Sequence, residues 1–182
     1  MIILSFDVGI KNLAYCQIDS KSKDILDWNI LDCSVPKNGN VILKLIEELE
    51  SIPNLLESDT ILIEKQPSFN PTMRIISTAI YVYFTMRLNY EKNLNIKILY
   101  YSAKNKLKLC SDTNSIRLKN NNENKGKKAK RQNYYYNKKA AIEQTIQLID
   151  NSNNFSFINY FNKSKKKDDL ADSYLQAISY IN

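Results

Sequence analysis

Two short apolar runs in this sequence each end in a carboxylate, and these two acids are the first candidates for chemistry. Residues 2–6 run into Asp7, and residues 60–63 run into Glu64. Apolar runs of this length predict buried strands. An ionised acid at the end of a buried strand is costly unless a partner compensates its charge. Considered alone, however, Asp7 is better explained as the first residue of a turn, because Asp often begins turns.

A second pair of acids opens the last helical pattern of the chain, residues 168–181. Asp169 and Asp172 are three positions apart, which places their side chains on one face of a helix. If this helix packs across the two strand ends, four carboxylates converge. Hard cations such as Mg²⁺ take oxygen ligands, and two such ions can drive phosphoryl transfer. The alternative is an acid pair that balances the lysines at 165–167, but together with the strand-end acids the pair favours a metal site.

Composition limits the chemistry that such a site can perform. The 182 residues include no histidine, which excludes Ser–His and Cys–His nucleophiles and most zinc sites. Cys16, Cys33 and Cys110 are odd in number and widely spaced, so neither a disulfide framework nor a zinc ribbon is predicted. No run of eighteen apolar residues and no leader pattern is found, so we expect an intracellular protein, cytoplasmic or nuclear, without membrane association.

The positive charge of the chain is concentrated in one segment. The net charge is +7, and between Lys97 and Lys139 there are thirteen basic residues against two acids. A basic segment of this kind is typical of a protein that binds a polyanion. The alternative is a solvated loop that is simply rich in Lys and Asn.

The elements that must position these residues follow from hydrophobic periodicity. Strand patterns occupy residues 2–7, 12–18, 25–33, 60–63 and 96–101. Helical patterns occupy residues 41–52, 70–89, 102–109, 134–149 and 168–181. The aromatic residues 155–161 remain unassigned, and a basic mobile loop is predicted at about 111–133. This order predicts one α/β domain over residues 1–182, with a five-stranded mixed sheet flanked by helices.

Four motifs in sequence order resemble those of a known family. They are FDVGIKN around Asp7, IEKQ around Glu64, YSAKNK after the fifth strand and DLAD at the start of the last helix. Together they resemble the RuvC-type Holliday junction resolvases of the ribonuclease H-like superfamily, and most closely the poxvirus and large-DNA-virus resolvases. The resemblance implies a ribonuclease H-like fold and a Mg²⁺-dependent endonuclease. It also implies that the enzyme cleaves four-way DNA junctions symmetrically as a homodimer.

The same resemblance implies the members of the catalytic site. The ligands of two Mg²⁺ ions, or of Mn²⁺ in their place, would be Asp7, Glu64, Asp169 and Asp172, with Asp168 as an alternative to Asp169. The family also places a lysine after the fifth strand to neutralise charge on the scissile phosphate. Lys106 is the predicted catalytic lysine, with Lys104 and Lys108 as rivals.

Further residues are predicted to contact nucleic acid. Gln66 resembles a backbone-contacting position of the family, and Phe69 is a candidate for stacking on an opened base, with core packing as its alternative. Lys138 and Lys139 open the predicted helix at 134–149, where basic residues meet the unfavourable end of the helix dipole, so phosphate contacts explain them better. The remaining predicted phosphate contacts are Lys104, Lys108, Lys127, Lys128, Lys130 and Arg131, of which the last four also suit a nuclear-localisation segment.

Three questions stay open at the level of sequence. A helix exposing Ile75, Ile76, Ile80 and Met86 on several sides would supply a dimer face, although a buried core helix explains the same pattern. A ribonuclease H-like nuclease acting on RNA or on an RNA–DNA hybrid shares the same fold. A non-catalytic nucleic-acid-binding protein would use the basic segment alone, but it leaves the four acids without an explanation.

Overall fold

Five strands form one mixed sheet in the order β3-β2-β1-β4-β5. The computed structural model describes residues 1–106, 109, 127–150, 152 and 154–182, and for residues 127–134 it describes only the helical backbone. The strands are β1 (Ile2–Asp7), β2 (Leu13–Asp19), β3 (Ile25–Leu31), β4 (Thr60–Glu64) and β5 (Lys97–Tyr101). β1, β2 and β3 pair antiparallel, whereas β4 runs parallel to both β1 and β5.

The parallel pairing brings the candidate acids to one edge of the sheet. Phe6 of β1 lies opposite Ile63 of β4, so the residues that follow them, Asp7 and Glu64, leave the sheet side by side. Glu64 in turn lies opposite Tyr101, the last residue of β5. The carboxyl ends of three neighbouring strands therefore meet at this edge, as parallel strands require.

The helices cover both faces of this sheet. They are α1 (Val41–Glu50), α2 (Pro71–Phe84), α3 (Ala103–Lys106), α4 (Lys127–Asp150), α5 (Phe155–Lys163) and α6 (Lys167–Ile181). A 3₁₀ turn (Pro53–Glu57) follows α1, and a π-helical turn (Thr85–Tyr90) continues α2. The side chains of Asn40 and Asn70 accept backbone N–H hydrogen bonds at the starts of α1 and α2, as expected for N-cap residues.

Each face of the sheet has its own hydrophobic core. Leu4, Phe6 and Tyr15 point toward α1 and α2 and pack with Leu45 and Ile80. The alternate residues of the same strands point to the other face. There they pack against α4, α5 and α6, and that core includes Ile3, Cys16, Ile18, Trp28, Phe161, Leu170, Tyr174 and Leu175. β1 and β2 are therefore buried on both sides, which explains their nearly continuous apolar sequences.

Two elements differ from the predictions from sequence. α4 begins at Lys127, so residues 127–133 of the predicted mobile loop are helical, because Lys, Ala, Arg and Gln are good helix formers and continue the helix that follows. Residues 111–126 of that loop lie outside the described residues. The unassigned aromatic segment at 155–161 lies in α5, where Phe161 is buried against Trp28. No helix in the described part of the chain is long and apolar enough to cross a membrane.

Candidate active site

Trp28 holds the first turns of α6 against the sheet. Its indole Nε1 donates hydrogen bonds to the Leu170 carbonyl oxygen at 3.1 Å and to the Ser173 Oγ at 3.2 Å. The Phe161 ring stacks on the indole with 5.2 Å between the ring centroids. These contacts hold Leu170 and Ser173 against the sheet. Asp172, which lies between them in sequence, is then on the side of α6 that faces the ends of β1 and β4.

The Lys106 ammonium group lies between three of the predicted acids. Its Nζ is 3.0 Å from Asp172 Oδ2, 3.1 Å from Glu64 Oε1 and 3.8 Å from Asp7 Oδ1. The lysine is only 7% exposed, because the short helix α3 carries it inward from the end of β5. Paired charges of this kind are the usual condition for burying a lysine.

All four predicted acids line one cavity of about 360 Å³. Asp169, one helical turn before Asp172, lines the same cavity as the three acids that contact Lys106. The other lining residues are Ala103, Asn137, Lys138, Ala141 and Leu175. The two strand-end acids and the helix pair thus lie together in one cavity, and their role as metal ligands stays a prediction.

The acids in this cavity carry more negative charge than Lys106 can balance. Burial raises the pKa of Asp7 well above its usual value, with Lys106 opposing the shift and Glu64 and Asp172 adding to it. Burial also raises the pKa of Asp172 against the effect of Lys106. Ionising Asp7 and Asp172 together therefore costs free energy, and a further cation in the cavity would lower that cost.

Glu64 and Lys106 keep their charges. Burial acts to raise the pKa of Glu64, but Lys106 and hydrogen bonds from its neighbours outweigh burial and hold that pKa below the usual value. Burial likewise acts to lower the pKa of Lys106, but the three carboxylates outweigh it and raise the pKa. Lys106 is therefore a permanent positive charge inside the acid cluster.

Asp168 and Asp169 have different environments, although they are neighbours in sequence. Asp168 forms an ion pair with Lys138 of α4, and this pairing lowers its pKa against the effect of burial. Asp169 lines the cavity, where burial and the nearby Asp168 raise its pKa. The geometry favours Asp169 over Asp168 as the acid available to a metal ion.

The argument from the helix dipole for Lys138 and Lys139 is wrong. Because α4 begins at Lys127, both lysines lie in the middle of a helix, away from its positive end. Lys138 is engaged by Asp168. Lys139 is exposed and lies 3.8 Å from Glu143, a surface pair that contributes little to stability.

Gln66 and Phe69 follow β4 and have opposite surroundings. The Gln66 amide Nε2 donates to Glu64 Oε2 at 3.0 Å, so in this structure it orients the carboxylate. Phe69 is 86% exposed, so the alternative of core packing is wrong for Phe69, while its stacking role stays a prediction. Lys104 is exposed beside the cavity.

Several predicted contacts cannot be placed. Lys108 lies outside the described residues, as do the side chains of Lys127, Lys128, Lys130 and Arg131.

Two residues at or behind the cavity were not predicted from sequence. Asn137 lines it beside Lys138, and Gln176 lies behind it in the core; only the spacing of four residues from Asp172 pointed to Gln176.

The donor set of the cavity fits a hard cation. It offers carboxylate oxygens and no sulfur or imidazole ligand, which is the preference of Mg²⁺. Among the described residues, no group of three acids has the arrangement of a metal-ligand site, and the Lys106 ammonium contacts both Glu64 and Asp172. Lys106 supplies one positive charge to the cluster, and burial and the charge of Glu64 still raise the pKa values of Asp7 and Asp172, so a further cation would favour their ionised forms.

Comparison with known proteins places these features in a family. Residues 1–106 match the family described as Poxvirus A22 protein. An uncharacterized protein of Acanthamoeba polyphaga mimivirus is 33% identical over 144 residues, which cover 77% of this chain and 33% of the relative. The chain thus spans about a third of the length of that relative.

Solved structures of Holliday junction resolvases share the fold. The yeast mitochondrial Holliday junction resolvase matches with a TM-score of 0.64 and 19% identity, covering 98% of this chain and 78% of that one. The fowlpox virus resolvase, solved with its Holliday junction DNA substrate, matches with a TM-score of 0.61 and 23% identity, covering 100% of this chain and 97% of that one. The expected ribonuclease H-like fold of RuvC-type resolvases is therefore confirmed.

Proposed function

The chain belongs to the Poxvirus A22 protein family, and on that basis we propose that it is a Holliday junction resolvase, a metal-dependent endonuclease that cleaves four-way DNA junctions. The observation that carries this proposal is a cavity lined by Asp7, Glu64, Asp169 and Asp172, in which the carboxylates of Asp7, Glu64 and Asp172 lie within 3.8 Å of the Lys106 ammonium. It lies at the carboxyl edge of the parallel strands, in a fold shared with resolvases from yeast mitochondria and fowlpox virus.

We infer that the four acids hold two Mg²⁺ ions, with Mn²⁺ as the alternative. When bound, such ions supply a nucleophilic water and stabilise the leaving oxygen of the phosphodiester. Asp7 is the central ligand in this proposal, because Glu64 of the neighbouring strand and Asp172 of α6 are both close enough to raise its pKa. Gln66 orients Glu64 by its hydrogen bond of 3.0 Å.

Lys106 has a separate role in this proposal. Its ammonium is held by three carboxylates and stays protonated. When a phosphodiester enters the cavity, the same charge can neutralise the developing negative charge on the scissile phosphate. Exposed Lys104 and Lys139 would contact phosphates of the DNA backbone, as would Lys108, Lys127, Lys128, Lys130 and Arg131 of the basic segment.

The decisive test compares DNA substrates in the presence and absence of metal. With Mg²⁺, the purified protein is expected to cut a four-way junction at paired sites and to leave a linear duplex of the same arm sequence intact. Chelation by EDTA should stop cleavage, because the acid cluster then lacks its cation. The readout is the product pattern of end-labelled strands on denaturing gels.

Two other outcomes would contradict this proposal. Preferential cleavage of an RNA–DNA hybrid of equal length would indicate a ribonuclease. Junction binding without any cleavage in Mg²⁺ or Mn²⁺, unchanged by EDTA, would indicate a non-catalytic binding protein.

An apolar groove between α1 and α2 supports the homodimer. It has a volume of about 730 Å³, and its lining includes Ile42, Ile46, Ile75, Val82 and Met86. Ile75 and Val82 are each more than half exposed, which is unusual for neighbouring apolar residues on one surface.

Of the four residues predicted for a dimer face, Ile75 and Met86 are exposed, whereas Ile76 and Ile80 are buried in the core. We propose that a second copy of the chain covers this groove.

Charged substitutions in the groove should separate the protomers. Ile75→Asp with Val82→Asp is expected to convert the dimer to a monomer, because burying two carboxylates in an apolar interface is costly. Sedimentation velocity measures the change, and paired junction cuts should become single nicks.

The matched control for this prediction is Leu43→Asp. Leu43 is an exposed leucine of α1 outside the groove lining. If the double variant remains as large as the wild type, the groove is not the interface.

A further inference from the structure

A glutamine amide is buried behind the acid cluster. Gln176 of α6 is 1% exposed, and its Nε2 donates to Ser5 Oγ at 2.9 Å and to the Phe6 carbonyl oxygen at 3.1 Å. Both acceptors belong to β1, directly before Asp7. The amide therefore joins α6 to the strand that carries the central acid.

The position of Gln176 along α6 connects it to the other side of the cluster. It follows Asp172 by four residues, so the two side chains lie on the same side of the helix, one turn apart. Asp172 and Asp7 approach Lys106 from α6 and β1 respectively. The hydrogen bonds of Gln176 therefore join α6, which carries Asp172, to β1, which carries Asp7. They do so within one helical turn of the acid cluster.

Hydrophobic packing alone does not explain this residue. The core around it is largely apolar and includes Leu175, Ala177 and Ile178. Among the described residues, the Gln176 Oε1 is buried without a hydrogen-bond partner, which costs free energy. A polar group of this kind specifies one geometry of approach between helix and strand, whereas an apolar side chain tolerates small sliding.

We propose that Gln176 is a positioning residue that sets the distance and orientation of Asp172 relative to Asp7. This inference rests on the proposed function, because it assigns the pair to metal binding. Catalytic groups must be held to within about 0.5 Å of their productive geometry, and residues that orient metal ligands typically change metal affinity by about 10- to 100-fold when they are replaced.

A second buried glutamine provides a matched control. Gln17 of β2 is 3% exposed, and its Nε2 also donates to one backbone carbonyl, that of Asn54 at 2.8 Å, and to one serine, Ser58 Oγ at 2.9 Å. It points to the opposite face of the sheet, toward the segment that follows α1. Gln17 and Gln176 thus donate to the same kinds of acceptor, one backbone carbonyl and one serine hydroxyl, but Gln17 lies on the other face of the sheet from Asp172.

The experiment compares Gln176→Met with Gln17→Met, since Met keeps the side-chain length and removes the amide. Both variants should lower the melting temperature of the metal-free protein, because each removes the hydrogen-bond donor from a backbone carbonyl and from a buried serine hydroxyl. Only Gln176→Met should weaken Mg²⁺ binding, by about 10-fold or more. Titration calorimetry and the rise in melting temperature with Mg²⁺ measure this change without reference to cleavage.

The outcomes separate this inference from the proposed function. Wild-type Mg²⁺ affinity in Gln176→Met, or an equal loss of affinity in Gln17→Met, would overturn the positioning role while leaving the resolvase proposal intact. A wild-type protein that neither binds Mg²⁺ nor cleaves junctions would overturn both. Should Gln176→Met fail to fold, Ser5→Ala removes one acceptor only and is expected to shift Mg²⁺ affinity in the same direction by a smaller factor; unchanged affinity in that variant would overturn the positioning role.

Discussion

Asp7→Asn is expected to lower junction cleavage by about a thousandfold while junction binding persists. In the proposed mechanism, bound metal ions would contribute several kcal/mol of charge stabilisation in the transition state, and each 1.36 kcal/mol corresponds to a factor of ten in rate. Because Asp7 interacts with both Glu64 and Asp172, its loss should affect the whole proposed metal site. Binding depends mainly on phosphate contacts outside the cavity, so it should remain.

The stability of Asp7→Asn should change in the opposite direction to its activity. Burial raises the pKa of Asp7 in the folded protein above the ordinary value of 3.8. An acid whose pKa is raised by folding stabilises the fold only while protonated, and this contribution is lost as the pH rises through the raised value. The metal-free variant should therefore gain stability relative to the wild type as the pH increases from 4 toward neutrality.

Single-turnover cleavage and urea unfolding at several pH values measure these two effects. The matched control is Asp27→Asn, which alters a half-buried aspartate of β3 that accepts a hydrogen bond from the Tyr15 hydroxyl away from the cavity. This control should cleave junctions at the wild-type rate. Normal cleavage by Asp7→Asn would refute the metal-site proposal.

Lys106→Met is expected to destabilise the metal-free protein strongly and to impair cleavage. Removing one partner of a buried ion pair typically costs about 3–5 kcal/mol, and here the loss leaves Asp7, Glu64 and Asp172 without their central cation. Losing one charge that stabilises the reacting phosphate typically lowers the rate by about 10²–10³-fold.

The rescue pattern of Lys106→Met distinguishes electrostatics from packing. Saturating Mg²⁺ should restore much of the lost stability, since a divalent cation neutralises the same carboxylates, whereas cleavage should stay low. Lowering the pH should also help, because protonation removes the repulsion among the acids.

Lys104→Met is the matched control, since Lys104 belongs to the same short helix but is exposed. Thermal unfolding with and without Mg²⁺, together with cleavage rates, provides the comparison. Equal behaviour of the two variants would show that the buried position of Lys106 has no special role.

Much of this architecture is determined by local sequence. The apolar runs before Asp7 and Glu64, and the helical period after Asp168, predicted the strands and the last helix because alternation and helical periodicity depend only on neighbouring residues. The absence of histidine and the four acids then limited the site to oxygen-ligand chemistry. The same motifs indicated the family correctly.

Only the tertiary structure distinguished between residues of the same type. Lys104, Lys106 and Lys108 are equivalent in sequence, but the turn of α3 buries Lys106 among the acids. The side chains of Asp168 and Asp169 point about 100° apart around α6. Lys138 of α4 forms an ion pair with Asp168, whereas Asp169 faces the cavity.

The exposure of each face of α2 and the contacts of the Gln176 amide also depend on long-range packing. Ile75 and Ile76 are adjacent, yet one is exposed at the groove and the other is in the core, because only the position of α1 and the sheet decides which face is covered. Gln176 had no local signal beyond its spacing from Asp172. The role proposed for it depends on two acceptors about 170 residues earlier in the chain. Sequence periodicity determines which side chains share a face, but the partner of each face is decided only when distant segments pack together.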